Sequence, residues 1–393
     1  MTEQYDAIIV GAGAAGCTAA RTLAEKHGRK VLVIDRRNHI AGNCYDTEDQ
    51  HGVLIHQYGP HIFHTNDDQV YAFLSRFTKW RTFEHEVVAN IHGVLVPVPF
   101  NLNTLHMVFP EDKAAEIEKR LVARFGMESR VPILTLIEDS DELLKEVGQY
   151  VYENIYLHYT MKQWGKKPEE IDPAVTARVP VVITRRNSYF PTDRYQGVPL
   201  QGFTAMFAAM LDHPGITTRL GEEAADLLSF EDNVIRLKET GEPYKGTVIF
   251  TGALDELFGC RFGRLPYRTL RFDFEYYEKD TYQGHKVVNY TVSEDYTRIT
   301  EYKLLTGQSC LGTTISKEYP AAYTGAPGEI PYYAINNGEN QALYEKYRAL
   351  AGAYGNLRLL GRLAEYRYYN IDLMVRKAAE AADEIADLTG GDI

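Results

Sequence analysis

The sequence predicts an α/β protein: a parallel sheet wrapped by helices and assembled from separated pieces of the chain, with a helical insertion and an antiparallel sheet between them. Three observations carry this. Tyr5–Asn43 reads as strand, glycine turn, helix and second strand. A buried-type strand ending in a Thr-Gly turn, GTVIFTG, returns at residues 246–252. A strand, a glycine turn and a long helix close the chain from Asn356 onward. Between these pieces the apolar period becomes helical over residues 111–160, then gives way to short Thr-, Tyr- and Val-rich runs from Arg268 to Ile315.

The opening stretch is YDAIIVGAGAAGCTAARTLAEKHGRKVLVIDRRNHIAGN. Gly11 permits a tight turn, Gly13 lets backbone approach a pyrophosphate, and Gly16 lets the helix lie close on the strand. The helix N-terminus then points free N–H groups at phosphates. Asp35 ends the second strand, where a carboxylate can accept from a ribose diol. A lone GxGxxG is weak evidence, but here strand, helix, second strand and acid all accompany it. Dinucleotide binding is therefore preferred to an ordinary βαβ unit. Arg36, Arg37 and a second small turn, Ala41-Gly42-Asn43, follow the acid. That continuation favours FAD, with NAD as the minority reading.

With 393 residues, two or more lobes are expected. A net charge of −12 argues against nonspecific nucleic-acid binding. Cys17, Cys44, Cys260 and Cys310 lack CxxC spacing, so they signal neither a zinc site nor a disulfide framework. No leader-type or membrane-spanning apolar run is visible, which makes a reducing cytoplasm the expected setting. The chain has 28 Tyr against 16 Phe and 2 Trp, a bias that suits nucleotide and sugar surfaces but equally suits half-buried sheet faces.

His56, His61 and His64 in GVLIHQYGPHIFHT have no helix behind them, because Gly59-Pro60 interrupts one. A loop presenting an imidazole near a cofactor fits better than a metal site, and a surface histidine in a turn fits the spacing as well. A helical pattern begins at Asp67, and Asn90–Pro99 reads as a hairpin. In EDKAAEIEKRLVARFG, Ala114, Ile117, Leu121 and Phe125 share one helix face. The segmentation is thus FAD-binding over residues 1–75, a mainly helical substrate or lid region over 76–185, and a return to the FAD-binding part over 186–262. An antiparallel substrate sheet spans 263–340, and the last FAD-binding piece spans 341–393. The carboxyl ends of the parallel strands should bring the glycine turns to one edge.

No GxSxG elbow or cysteine with a neighbouring base supplies a protein nucleophile. The remaining signal is arginine among tyrosines: Arg178, Arg298, Tyr189, Tyr332, Tyr333, Tyr366, Tyr368 and Tyr369. Guanidinium forks and phenol hydroxyls suit a diphosphate.

The stretches VGAGAAG, YGPHIFHT, YTMKQWG, TARVPV, FTGALDELFGCRFGRLPYRTLRF, VVNYT, YTRITEYK, EYP, PYY and GRLAEYRYYNID resemble bacterial UDP-galactopyranose mutases nearly from end to end. The resemblance implies a Rossmann-like FAD-binding domain, discontinuous in sequence, with a helical insertion and an antiparallel sheet. It implies interconversion of UDP-galactopyranose and UDP-galactofuranose. Reduced-flavin N5 would attack the anomeric carbon, with UDP leaving and no net redox change. It further implies a cytoplasmic homodimer and an unidentified reductant.

Carried over by position, Arg178 and Arg298 would clamp the diphosphate, with Tyr189, Tyr333 and Tyr368 donating to it. Tyr159 would stack on uracil, near Tyr156 and Thr160, and Trp164 would sit on a lid. Asn289 would lie near the sugar and His61 against the flavin. Gly11, Gly13, Ala14, Ala15, Gly16, Asp35, Arg36, Gly42, Asn43, Gly361, Arg362 and Tyr368 would hold FAD. Asn370 stands among the substrate contacts where many members carry aspartate, and Leu304 where histidine is frequent. Two rivals are a flavin oxidoreductase acting on an amine or polyene and a UDP-sugar-binding protein without catalysis.

Overall fold

The structure, a computed structural model, describes residues 5–165 and 180–389. Five parallel strands form the first sheet, in the order Ile216–Leu220, Val31–Asp35, Ala7–Val10, Thr247–Phe250, Leu357–Leu359. Ala7–Val10 and Val31–Asp35 are apolar without alternation, as strands covered on both faces must be. The order reverses beside Ala7–Val10, and the turns after it and after Thr247–Phe250 open on the crevice where such sheets bind ligands.

The helices Ala14–His27 and Ile371–Thr389 cover one face, with Ala19, Leu23, Ala378 and Ala382 in a shared core. Small residues let the two helices come close. The apolar helix Phe203–Leu211, which the sequence reading passed over, joins this core through Phe203, Phe207 and Met210. Its N-terminus is capped by Asp46, which accepts from the Phe203 and Thr204 N–H groups at 2.6 and 2.8 Å.

The middle of the chain gives the predicted helices, among them Glu111–Phe125 and Glu142–Val151, preceded by the unpredicted helix Leu102–Val108 and followed by a π-helical turn Tyr152–Leu157 and the helix His158–Trp164. Ala114, Ile117 and Leu121 are buried on one face, with Phe125 partly buried beside them. A short strand, Arg130–Pro132, interrupts the stretch expected to be helical.

The second large sheet has seven strands, in the order Tyr333–Ala334, Tyr267–Tyr277, Thr313–Ala322, Arg298–Glu301, Val287–Tyr290, Val87–Ile91, Val94–Val98. The expected hairpin forms, as Val87–Ile91 paired with Val94–Val98. It belongs to this sheet, although the sequence reading grouped it with the helical insertion. Its pairing with Val287–Tyr290 is parallel, so the sheet is mixed where an antiparallel one was expected. A local apolar pattern identifies a strand but not its distant partner.

Candidate functional site

A cleft of about 530 Å³ runs along the carboxyl edge of the parallel sheet. Gly11, Gly13, Ala14, Ala15, Asp35, Arg36, Gly42, Asn43, His61, Gly361, Arg362 and Asn370 all line it. Gly11 has φ +112°, and a Cβ there would lie 2.0 Å from Thr251 Oγ1. The two glycine turns touch: a Cβ on Gly42 would stand 2.9 Å from the Gly13 Cα. Gly16 does not line the cleft. It is buried beneath it, where a Cβ would meet the Gly11 carbonyl oxygen at 1.9 Å. No acidic side chain occupies the first turn of Ala14–His27, so nothing opposes an anion there.

Asp35 does more than end its strand. Its carboxylate accepts from the Ala12 N–H at 2.8 Å and the Arg37 N–H at 2.9 Å, which ties the first turn to the second. Each oxygen keeps lone-pair capacity for another donor. Arg36 pairs with Glu256 at 2.8 Å. Arg37, which the sequence reading did not place among the contacts, donates to Asn43 Oδ1 at 3.0 Å and stacks on Tyr58. Its Nη1 is buried beside the cleft with no hydrogen-bond partner. Its position two residues after Asp35 was the available signal.

His61 reaches the cleft from its loop and is 9% exposed. Its Nδ1 lies 2.9 Å from the Gly59 carbonyl oxygen, which can only accept, so Nε2 is left as the acceptor. Burial, with His56 and Arg362 adding to it, lowers its pKa to about 3. The ring is neutral at physiological pH. His56 accepts from the His61 N–H at 3.0 Å, and burial lowers its own pKa to about 4. His64 instead pairs with Asp193 and stacks on Phe190.

The second cluster centres on Arg298. In the sheet register Arg298 lies opposite Asn289 on one side and Glu318 on the other, so all three side chains share a face. Its Nε donates to Asn289 Oδ1 at 3.1 Å, its Nη2 to the Tyr159 hydroxyl at 3.1 Å, and its Nη1 lies 3.6 Å from Glu318 Oε2. Burial opposes the arginine's charge, and the facing Tyr159, Glu318, Tyr333 and Tyr189 outweigh it. Burial pushes Tyr159 up to about 12, so the phenol is protonated. Glu318 was missed as a site residue, although it stands in the quoted EYP stretch.

Tyr333 and Tyr368 link the two places. Their ring centroids are 6.2 Å apart, and Tyr368 carries the Arg362 guanidinium 4.5 Å over its ring. Arg362 is further fixed by its Nε bond to the Tyr369 carbonyl at 2.6 Å. Tyr189 is held through its backbone N–H on the His85 carbonyl at 2.7 Å. Thr160 is buried, and Trp164 ends its helix. Tyr156, expected beside a base, is 4% exposed and belongs to the core of the helical region. Arg178 lies outside the described residues.

Comparison with known proteins agrees with this architecture. Residues 9–77 match an NAD(P)-binding Rossmann-like domain, and residues 154–368 match the family described as UDP-galactopyranose mutase. A UDP-galactopyranose mutase of Mycoplasma pneumoniae is 35% identical over 98% of this chain and 96% of its own. A probable UDP-galactopyranose mutase of Klebsiella pneumoniae is 37% identical over 96% and 94%. A dTDP-fucopyranose mutase of Escherichia coli is 35% identical over 95% and 97%. A crystal structure of reduced UDP-galactopyranose mutase superposes with a TM-score of 0.67 at 17% identity, covering 98% of this chain and 96% of that one. The chain belongs to the UDP-galactopyranose mutase family of isomerases.

Proposed function

We propose that this protein interconverts UDP-galactopyranose and UDP-galactofuranose with FAD held in the cleft. The observation that carries the substrate half is the Arg298 guanidinium, set among Tyr159, Tyr189 and Tyr333 and linked through Tyr368 to the cleft edge. The residues fit the cofactor: Gly11 and Gly13 line the cleft beside a helix start whose first turn carries no acid to oppose a pyrophosphate, and the orphaned Arg37 Nη1 lacks only an acceptor. Gly361 and Arg362 would complete the phosphate and flavin contacts, with Gly42, Asn43 and His61 along the ring system. When bound and reduced, FAD supplies a nucleophilic N5 to the anomeric carbon. The chain's own part is to keep the departed UDP in place until it returns, which Arg298 does by charge and the tyrosines by neutral donors. Neutral His61 offers Nε2 as a hydrogen-bond acceptor rather than a proton. A cytoplasmic setting, a homodimer and a separate reductant belong to the same proposal. Among the described residues, no helix is long and apolar enough to cross a membrane.

A second reading, a dTDP-6-deoxyhexose substrate, rests on the near-equal identity to the dTDP-fucopyranose mutase. Anaerobic incubation of dithionite-reduced, FAD-loaded protein with UDP-galactofuranose should yield UDP-galactopyranose by chromatography. Conversion of dTDP-fucopyranose alone would select the second reading, and conversion of neither would remove both.

A further inference from the structure

We propose that Lys162 is a positioning residue that sets the approach of Tyr159 to Arg298, by joining the helix His158–Trp164 to the turn between the strands Val287–Tyr290 and Arg298–Glu301. An ammonium group has three N–H donors and no acceptor. Lys162 Nζ places all three on backbone carbonyls of that turn: Tyr290 at 2.6 Å, Glu294 at 2.9 Å and Tyr296 at 3.1 Å. The turn is flanked by two residues of the arginine cluster, since Asn289 precedes Tyr290 and Arg298 follows Thr297.

Lys162 is three residues on from Tyr159, so both project from neighbouring positions on one helix face. The helix therefore meets this piece of the sheet twice, through Tyr159 on Arg298 and through Lys162 on the turn. A third tie lies one segment earlier, where Thr291 Oγ1 donates to the Asn154 carbonyl of the π-helical turn at 2.6 Å. At the other end, Arg268 donates from Nε to the Gln163 carbonyl at 2.8 Å and from Nη2 to the Lys162 carbonyl at 3.2 Å. The helix stops there at Gly165, whose φ is +63° and whose Cβ position would lie 3.0 Å from Arg268 Nη1.

Burial of Lys162 works against its charge, and the facing Glu294 and Asp295 favour it. The cation is thus held by three carbonyls and two nearby acids of one turn. Losing it leaves those carbonyls to water and frees the helix to slide, while Arg298, Tyr159 and the FAD cleft keep their own side chains. A nucleoside diphosphate spanning Tyr159 and Arg298 would feel that slide as weaker binding, with the chemical step little changed. The inference rests on the proposed reading that these two residues hold a nucleoside diphosphate.

The test uses FAD-loaded full-length protein and UDP as probe. Lys162→Met should raise the UDP Kd and the substrate KM about tenfold, with kcat changed less than about threefold and the flavin spectrum unaltered. Lys162→Gln, which keeps two N–H donors, should fall between and covers the case in which Lys162→Met does not fold. Lys162→Cys should behave as Lys162→Met, and treatment with 2-bromoethylamine, which restores an ammonium at nearly the same reach, should return UDP affinity to within about twofold of wild type. Wild type treated in parallel controls for the four native cysteines. Unchanged Kd and KM in Lys162→Met or Lys162→Gln, or an affinity loss that aminoethylation fails to restore, overturns the proposal. Wild-type protein that binds no UDP overturns the functional reading itself.

Discussion

Along the cleft the fit is made by backbone and by missing side chains, whereas around Arg298 it is made by side chains from three strands and a helix. Gly11, Gly13, Gly16 and Asp35 lie within about twenty-five residues and act through turn geometry. Arg298 meets Asn289 from 9 residues away, Tyr159 from 139, and Glu318 across the next strand. A site built from backbone is broken by adding atoms. A site built from side chains is broken by removing them, with the fold left standing.

The largest expected effect follows from that difference. Arg298→Met removes the cation that meets Tyr159, Asn289 and Glu318, and should lower turnover of the reduced enzyme about a thousandfold, as loss of a buried charge-stabilising donor does. FAD content, read from the flavin absorbance, should stay near wild type. The Glu318 carboxylate, 4% exposed, would lose its cationic partner, so Arg298→Met combined with Glu318→Gln separates lost stability from lost catalysis. Turnover within tenfold of wild type would dissolve the contrast between the two sites.

The converse change is Gly11→Val. A side chain at φ +112° with its Cβ 2.0 Å from Thr251 Oγ1 forces the two turns apart. The expected cost is about 2–4 kcal/mol in stability from strain and overpacking, read by melting, with FAD occupancy reduced sharply. UDP binding to the folded fraction should persist. Thr251→Gly combined with Gly11→Val should relieve the clash but not the backbone strain, and so recover only part of the loss.

Three buried histidines extend the comparison to pH. Burial lowers His56 to about 4 and His61 to about 3, both beside the cleft, and His85, behind Tyr189, to about 3. For His85, Lys286, Arg298 and His64 add to the burial effect. An unfolded histidine titrates near 6.5, so the unfolded chain binds more protons as pH falls below that value. Stability from these sites is therefore full above about pH 6.5 and declines towards the folded values, by about 1–2 kcal/mol per histidine at pH 5. Melting temperatures between pH 7.5 and 4.5 should fall, and His61→Asn should flatten the curve. Equal slopes in wild type and His61→Asn would show that His61 is not buried neutral.

The same contrast explains what the sequence could tell. The glycine turn, Asp35 and the returning strand at Thr247–Phe250 were readable because each is a local pattern with a local cause. Arg298 stood out locally as an arginine among tyrosines, but Asn289 and Tyr159 could be named only through resemblance, since nothing local states that Tyr159 will meet an arginine 139 residues on. Glu318 escaped because a strand glutamate ordinarily faces water, and its burial depends on the register opposite Arg298. The Val87–Val98 hairpin was legible as two strands, but its parallel seat beside Val287–Tyr290 was not. Tyr156 and Tyr159 lie three residues apart, and only the packing of the helices shows Tyr156 buried in the helical core and Tyr159 meeting Arg298.

The smallest effect tests where the two sites adjoin. Asn370 lines the cleft and precedes Ile371–Thr389, accepting the Met374 N–H on its carbonyl at 3.0 Å. Asn370→Asp adds a negative charge at the start of a 19-residue helix. The helix dipole should make that change stabilising, by about 0.3–1 kcal/mol at low salt. With Asn370 among the substrate contacts, as the resemblance implies, the same charge would oppose an anionic substrate, so the KM should rise, by a few-fold at most, and the rise should shrink as salt screens it. Opposite signs in melting temperature and affinity, both fading with salt, would mark Asn370 as the point where backbone-built and side-chain-built chemistry meet. A higher melting temperature with an unchanged KM would confine Asn370 to the cleft and the helix start.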